Sequence, residues 1–226
     1  MASLISLLCI STIIMALFDP ILAVLYGVEE QAPWTPGGIR FEKEVGPWCA
    51  MEELEKASKF IWNTFKQDET QRKYEYEVVL HVKIMDGISQ TKDNMIYLNT
   101  GYIENFLGNV KIETVGIIYH ETTHVWQWNG NGNAPSGLLN GIADYVRLKA
   151  NLAPLTWSEK GSGNRWDEGY AVTAYFLDYC NDLKDGFVAS LNRMMKHDYN
   201  DEFFARLLGK TVDQLWKDYK EKYGTK

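Results

Sequence analysis

The chain has 226 residues, 46% hydrophobic and 13% aromatic with eight tryptophans, enough bulky apolar material for a packed core and too much for disorder over most of its length. Eighteen glycines and six prolines without a period exclude collagen-like and repeat architectures. With 30 acidic against 23 basic residues, a formal charge of −7 and no cluster of Lys and Arg, a surface that tracks nucleic-acid phosphates is excluded.

Residues 4–18 are almost wholly apolar, Asp19 and Pro20 break the run, and the small residue Ala23 follows. This pattern predicts a secretory signal peptide over residues 1–23, although no Lys or Arg precedes the apolar run. The run is shorter than the roughly 20 residues that span a bilayer and no basic flank follows it, so no stable membrane anchor is expected. Residues 24–226 are read as one domain. Loss of the leader removes Cys9 and leaves Cys49 and Cys180, too few for a disulfide scaffold and without a CxxC pair. An oxidising compartment would let those two pair if the fold brought them together. There is no Asn-x-Ser/Thr acceptor, so N-glycosylation is not expected.

Residues 24–48 carry Pro33, Pro36, Gly37, Gly38, Gly46 and Pro47, which predicts an extended arm or edge strand around Ile39 to Phe41. Met51, Leu54, Ile61 and Phe65 then suit one face of a helix. Tyr76, Val78, Leu80, Val82 and Ile84 alternate with Glu77, Val79, His81 and Lys83, the period of a half-buried strand, and a short strand at residues 95–98 follows a polar turn. From Lys111 onward the pattern turns helical, over about 111–128, 138–150, 168–183, 187–196, 200–208 and 211–222. A small N-terminal sheet followed by a helical C-terminal half makes the predicted fold class α+β.

The chemistry is concentrated at His120-Glu121-Thr122-Thr123-His124, the pattern HExxH. On a helix, positions i and i+4 lie about 40° apart and one turn along, so both imidazoles can reach one zinc ion. Glu121 sits about 100° round from His120, where its carboxylate can act as general base on a water beside the metal. A buried helix holding two histidines by chance is the bland alternative. The apolar Val115, Ile117 and Ile118 make the helix a buried one, and buried imidazoles need partners, which a metal and its surroundings supply.

A third protein ligand should come from elsewhere, and the next helical stretch contains Asn140-Gly141-Ile142-Ala143-Asp144. Here the sequence resembles the plant basic secretory proteins, a pathogenesis-related, peptidase-like group of zincin type. The resemblance spans Tyr119 to Ala150 and extends to Thr35-Pro36-Gly37-Gly38-Ile39-Arg40-Phe41, Met85-Asp86-Gly87, Arg165-Trp166-Asp167-Glu168-Gly169-Tyr170, residues 176–180 and residues 208–216. It implies a zincin-like metallopeptidase fold, one zinc ion, and a secreted, extracellular protein of the plant apoplast acting on peptide or protein substrates from a pathogen or the cell wall.

The resemblance also implies roles: His120 and His124 as metal ligands, Glu121 as base, position 140 as the third ligand and Asp144 as the residue that orients a histidine. The family usually has glutamate at position 140, whereas this chain has asparagine, whose neutral amide oxygen is a weak zinc donor. Either Asp144 moves in as ligand, or zinc affinity and catalysis fall and the chain acts as an extracellular binding or defence protein. Tyr170 is a candidate oxyanion donor or a packing residue. Trp126 and Trp128 line a cleft or pack in the core. Exposed tryptophans leave a carbohydrate-binding module as a third class of function. His81 and His197 lack a ligand pattern, and Gln127 and Asn129 carry no assigned role. The run at residues 217–222 is a solvated mixed-charge face.

Overall fold

A computed structural model of the chain describes residues 23–224, so the expected leader lies outside them but for Ala23. The elements run β1 (Leu25–Glu30), α1 (Pro36–Glu44), α2 (Pro47–Thr64), β2 (Glu77–Lys83), β3 (Ser89–Lys92), β4 (Met95–Asn99), α3 (Thr100–Asn105), α4 (Val110–Trp126), α5 (Ser136–Lys149), α6 (Tyr170–Leu183), α7 (Phe187–Met194), α8 (Glu202–Leu208) and α9 (Val212–Tyr223). The fold is therefore mixed α+β with a small sheet and a helical majority.

The sheet has the order β1-β2-β4-β3, with β1, β2 and β4 parallel and β3 antiparallel to β4. Val78, Leu80 and Val82 of β2 and Ile96 and Leu98 of β4 turn one apolar face into the core, as the period-2 alternation predicts. His81 belongs to the other face. Its ring stacks 5.2 Å from Tyr97, and its Nδ1 lies 3.0 Å from both the Gln31 amide and the Glu29 carboxylate, a structural histidine.

Three stretches differ from the sequence reading. The edge strand expected around Ile39 to Phe41 is helix α1. Pro36 opens it, Thr35 caps it by accepting from the Gly38 backbone N–H at 3.0 Å, and Phe41 is buried. Gly37 and Gly38 serve close packing there: a Cβ would stand 1.8 Å from the Thr100 carbonyl oxygen in one case and 2.2 Å from that of Ala32 in the other. The stretch Ser89-Gln90-Thr91-Lys92, read as turn, is edge strand β3. It lacks apolar alternation because neither of its faces is deeply buried. Helix α3, too short to show a period, is started by Asn99, whose side chain accepts from the Gly101 N–H at 2.9 Å.

The aromatic content is spent largely in the C-terminal core. Phe176 of α6 meets Trp216 at 5.5 Å, Tyr219 at 5.8 Å and Phe204 at 6.1 Å between ring centroids. Cys49 and Cys180 are free thiols, and Cys180 is fully buried. Among the described residues, no helix is long and apolar enough to cross a membrane.

Glu30, at the end of β1, faces Glu42 of α1, and one of its carboxylate oxygens is buried without a partner. Burial first, then the hydrogen bond and charge of Glu42, push the Glu30 carboxyl up from 4.5 to about 7. A carboxyl raised by folding stabilises the fold fully below its ordinary pKa, and that contribution is lost as pH rises through the folded value. The melting temperature should therefore fall between pH 5 and pH 8, and Glu30→Gln should flatten that slope. Equal slopes for both proteins, followed by circular dichroism, would contradict this reading.

Candidate active site

Helix α4 forms the floor of the site. Asn109 caps it by accepting from the Ile112 N–H at 3.0 Å, and its rear face is fixed in the core, where Trp126 donates Nε1–H to Ser58 at 3.0 Å. Trp126 is thus a core residue and not a cleft wall. Residues 120–124 lie on this helix, so His120 and His124 sit one turn apart, with Nε2 atoms 3.2 Å from each other.

Each imidazole is held from behind. Asp144 of α5 places Oδ1 2.6 Å from His120 Nδ1. Burial depresses the His120 pKa, but the Asp144 hydrogen bond and charge outweigh it and leave the value raised. The Gln127 side-chain amide lies 2.6 Å from His124 Nδ1. Burial, then the neighbouring His120, lower the His124 pKa to about 3, so this ring is neutral across the physiological range. The Gln127 amide oxygen is buried without a partner, so no contact of its own fixes it in place. With oxygen and nitrogen exchanged, that oxygen would accept from a proton on Nδ1 and leave the His124 Nε2 lone pair free.

Glu121 is buried and clasped by β3. Ser89 Oγ donates to Oε1 and Thr91 Oγ1 to Oε2, each at 2.6 Å, and the Thr91 hydroxyl also lies 3.0 Å from the Glu121 carbonyl oxygen. These bonds fix the carboxylate's rotamer and tie the sheet edge to the helix. Sequence reasoning missed Ser89, Thr91 and Gln127. Their only signals were a Ser-x-Thr spacing in a strand without apolar residues, and a glutamine three residues after His124.

Asn140 and Asp144 share one face of α5. Gly141 between them lets α5 approach α6, since a Cβ there would stand 2.2 Å from the Thr173 methyl carbon. Asp144 is engaged with His120 Nδ1, on the side of the ring away from Nε2. Asn140 donates its amide N–H to the Ser136 carbonyl at 2.9 Å, and its side chain lies near enough to the His124 imidazole to act on its pKa. Tyr170 lies nearly parallel to the His120 ring, 6.1 Å between centroids, and is exposed. Its φ of +45° is in the left-handed region, a conformation that costs a tyrosine on the order of 1–3 kcal/mol.

These side chains open onto one cleft of about 940 Å³, walled by β3 residues on one side and by Asn140, Asp144 and Tyr170 on the other. The donor set bears on whether a metal fits. Two nitrogens bound at about 2.0–2.1 Å to a tetrahedral zinc stand roughly 3.3 Å apart, which the 3.2 Å between the Nε2 atoms matches. Both Nδ1 atoms are engaged by other groups, so the Nε2 atoms are the ones free to ligate. The third donor is where this chain is weak. Among the described residues no group of three or more His, Cys, Asp or Glu is placed to hold a metal ion, and the side chain beside His124 is the neutral Asn140. The spacing of the two Nε2 atoms fits zinc, and the α5 residue of the cleft that could add an oxygen donor is the neutral Asn140.

A family model described as "Peptidase of plants and bacteria" matches residues 22–219, which include every residue of this site. A "Basic secretory protease" from Boswellia serrata is 49% identical over 59 residues, covering 26% of this chain and 67% of the relative. No solved structure matches. With its paired imidazoles, its clasped glutamate and a family match over nearly its whole length, the chain belongs to the BSP family, the peptidases of plants and bacteria.

Proposed function

We propose that this protein is a secreted, zincin-like zinc peptidase in which His120, His124 and the amide oxygen of Asn140 hold the ion and Glu121 is the general base. The observation that carries the reading is the 3.2 Å approach of the two Nε2 atoms beside a carboxylate held rigid by two hydroxyls. Secretion is supported by the apolar leader and by the name of the Boswellia serrata relative. A defence role in the apoplast, on peptides of a pathogen or the cell wall, follows from the family resemblance.

When bound, zinc would lower the pKa of its water toward 7 and polarise the scissile carbonyl. The chain's own residues supply the rest. Asp144 keeps the proton of His120 on Nδ1, so that Nε2 presents its lone pair. Glu121 takes the proton of the attacking water and passes it to the leaving amine, while Ser89 and Thr91 keep its carboxylate from swinging away. Tyr170 donates its phenol to the oxyanion that develops on the carbonyl. The outer edge of β3 offers backbone groups to an extended peptide laid along the cleft.

One observation favours a second reading. Asn140 brings no charge to the dication, and its amide is engaged by Ser136. A member with weakened metal affinity would act as an extracellular binding or defence protein. Purified protein supplied with zinc should retain one equivalent after dialysis and cleave a mixed peptide library, lose cleavage to a chelator and regain it with zinc. No retained zinc and no cleavage would leave the second reading standing.

A further inference from the structure

The cleft contains two cations of unlike situation. Arg147 is committed: it donates to Glu113 at 2.8 Å and to the Leu152 carbonyl at 3.0 Å. Lys73 lines the same cleft and, among the described residues, makes no ion pair with a carboxylate. It lies in the irregular segment between α2 and β2, which is anchored next door by the Arg72 guanidinium 3.8 Å over the Trp62 ring. Its ammonium stands 5.7 Å from the ring centroid of Trp128, just beyond the C-terminal end of α4 where His124 also lies.

Burial depresses the Lys73 pKa, with Glu75 and Asp93 acting against that from a distance. A partly desolvated ammonium whose contact is an aromatic ring rather than a carboxylate gains more from an incoming anion than a solvated one does. The remaining charged groups of the cleft, Glu75, Asp93, Glu113, Glu121 and Asp144, are acidic. Two of them, Glu75 and Asp93, act on Lys73 itself, so what marks Lys73 out is being the cation of the cleft lining that is not committed to a carboxylate, while Arg147 is.

We propose that Lys73 is a specificity-determining residue that binds a carboxylate of the substrate at the His124 end of the cleft. The substrate class is then peptides with an anionic group a few residues from the cleaved bond, supplied by an acidic side chain or by a free C-terminal carboxylate. This rests on the peptidase reading above, and it concerns which peptides the cleft prefers.

The test is equilibrium binding, by fluorescence anisotropy, to full-length protein carrying Glu121→Gln so that the probes stay intact. The probes are fluorescein-labelled alanine octapeptides with one Glu at each position, their Gln counterparts, and each of these as free acid and as C-terminal amide. At least one acid should bind roughly tenfold or more tightly than its neutral partner, the strength of a charge-assisted contact. Lys73→Met should erase that contrast and Lys73→Arg should keep most of it. A contrast set by Glu over Gln identifies the side-chain carboxylate, and one set by acid over amide identifies the C-terminus. No contrast in any pair, or a contrast that survives Lys73→Met, overturns the proposal. Failure of the peptidase reading shows separately, as no cleavage of these peptides by the protein without Glu121→Gln when zinc is supplied.

Discussion

Replacing Asn140 by glutamate should raise zinc affinity at least tenfold, about 1.4 kcal/mol, and raise peptide turnover with it. The reason is charge and reach together. Position 140 lies on the cleft-facing side of α5, its side chain lies near the His124 imidazole, and the open cleft leaves room for one more methylene. A carboxylate there supplies the negative charge that an amide oxygen lacks and offsets the cost of desolvating the dication. The change forfeits the hydrogen bond to the Ser136 carbonyl, an exposed bond of small net worth. Asn140→Gln separates the two factors, because it has the length of glutamate without the charge. A chelating-dye competition should place the Glu variant well above both Asn and Gln. Equal affinities for all three would show that position 140 does not face the metal.

Glu121→Gln should lower peptide turnover by roughly 10²–10⁴-fold, the range of a positioned general base, with zinc affinity nearly unchanged. Glutamine keeps the shape of the side chain, and the Ser89 and Thr91 hydroxyls can rotate to meet its amide. What is lost is the ability to take and return a proton. A variant that lost zinc as well would mean that Glu121 holds the metal, and a variant that kept full turnover would remove it from the chemistry. Because Glu121 is buried, Glu121→Ala is a poorer probe, since it also leaves two hydroxyls facing a void.

How much of this could be read from the sequence depended on which physical signal each element carries. Strand β2 was legible because its two faces differ in burial, and α4 because HExxH sits in an apolar helix. Helix α1 was hidden by Thr-Pro-Gly-Gly, a composition that usually means a turn. Its glycines are dictated instead by carbonyls of Thr100 and Ala32, far off in sequence in one case and just before the helix in the other. Strand β3 was hidden because an edge strand needs no apolar alternation, and its loss concealed the clasp on Glu121. The spacing of Asn140 and Asp144 put both on one helix face but could not say which histidine each would meet. That depends on the close approach of α5 to α4 and α6. The cysteines illustrate the converse, since two thiols that composition allowed to pair are free in the fold.

The central claim is that His120 and His124 form one zinc site with a donor from α5. Its most direct test is the number of zinc ions retained by the protein and by His120→Ala and His124→Ala, measured by mass spectrometry of the native proteins after dialysis against buffered zinc. One ion in the parent and none in either variant is the predicted result. No zinc in the parent, or zinc that persists in both variants, would contradict it.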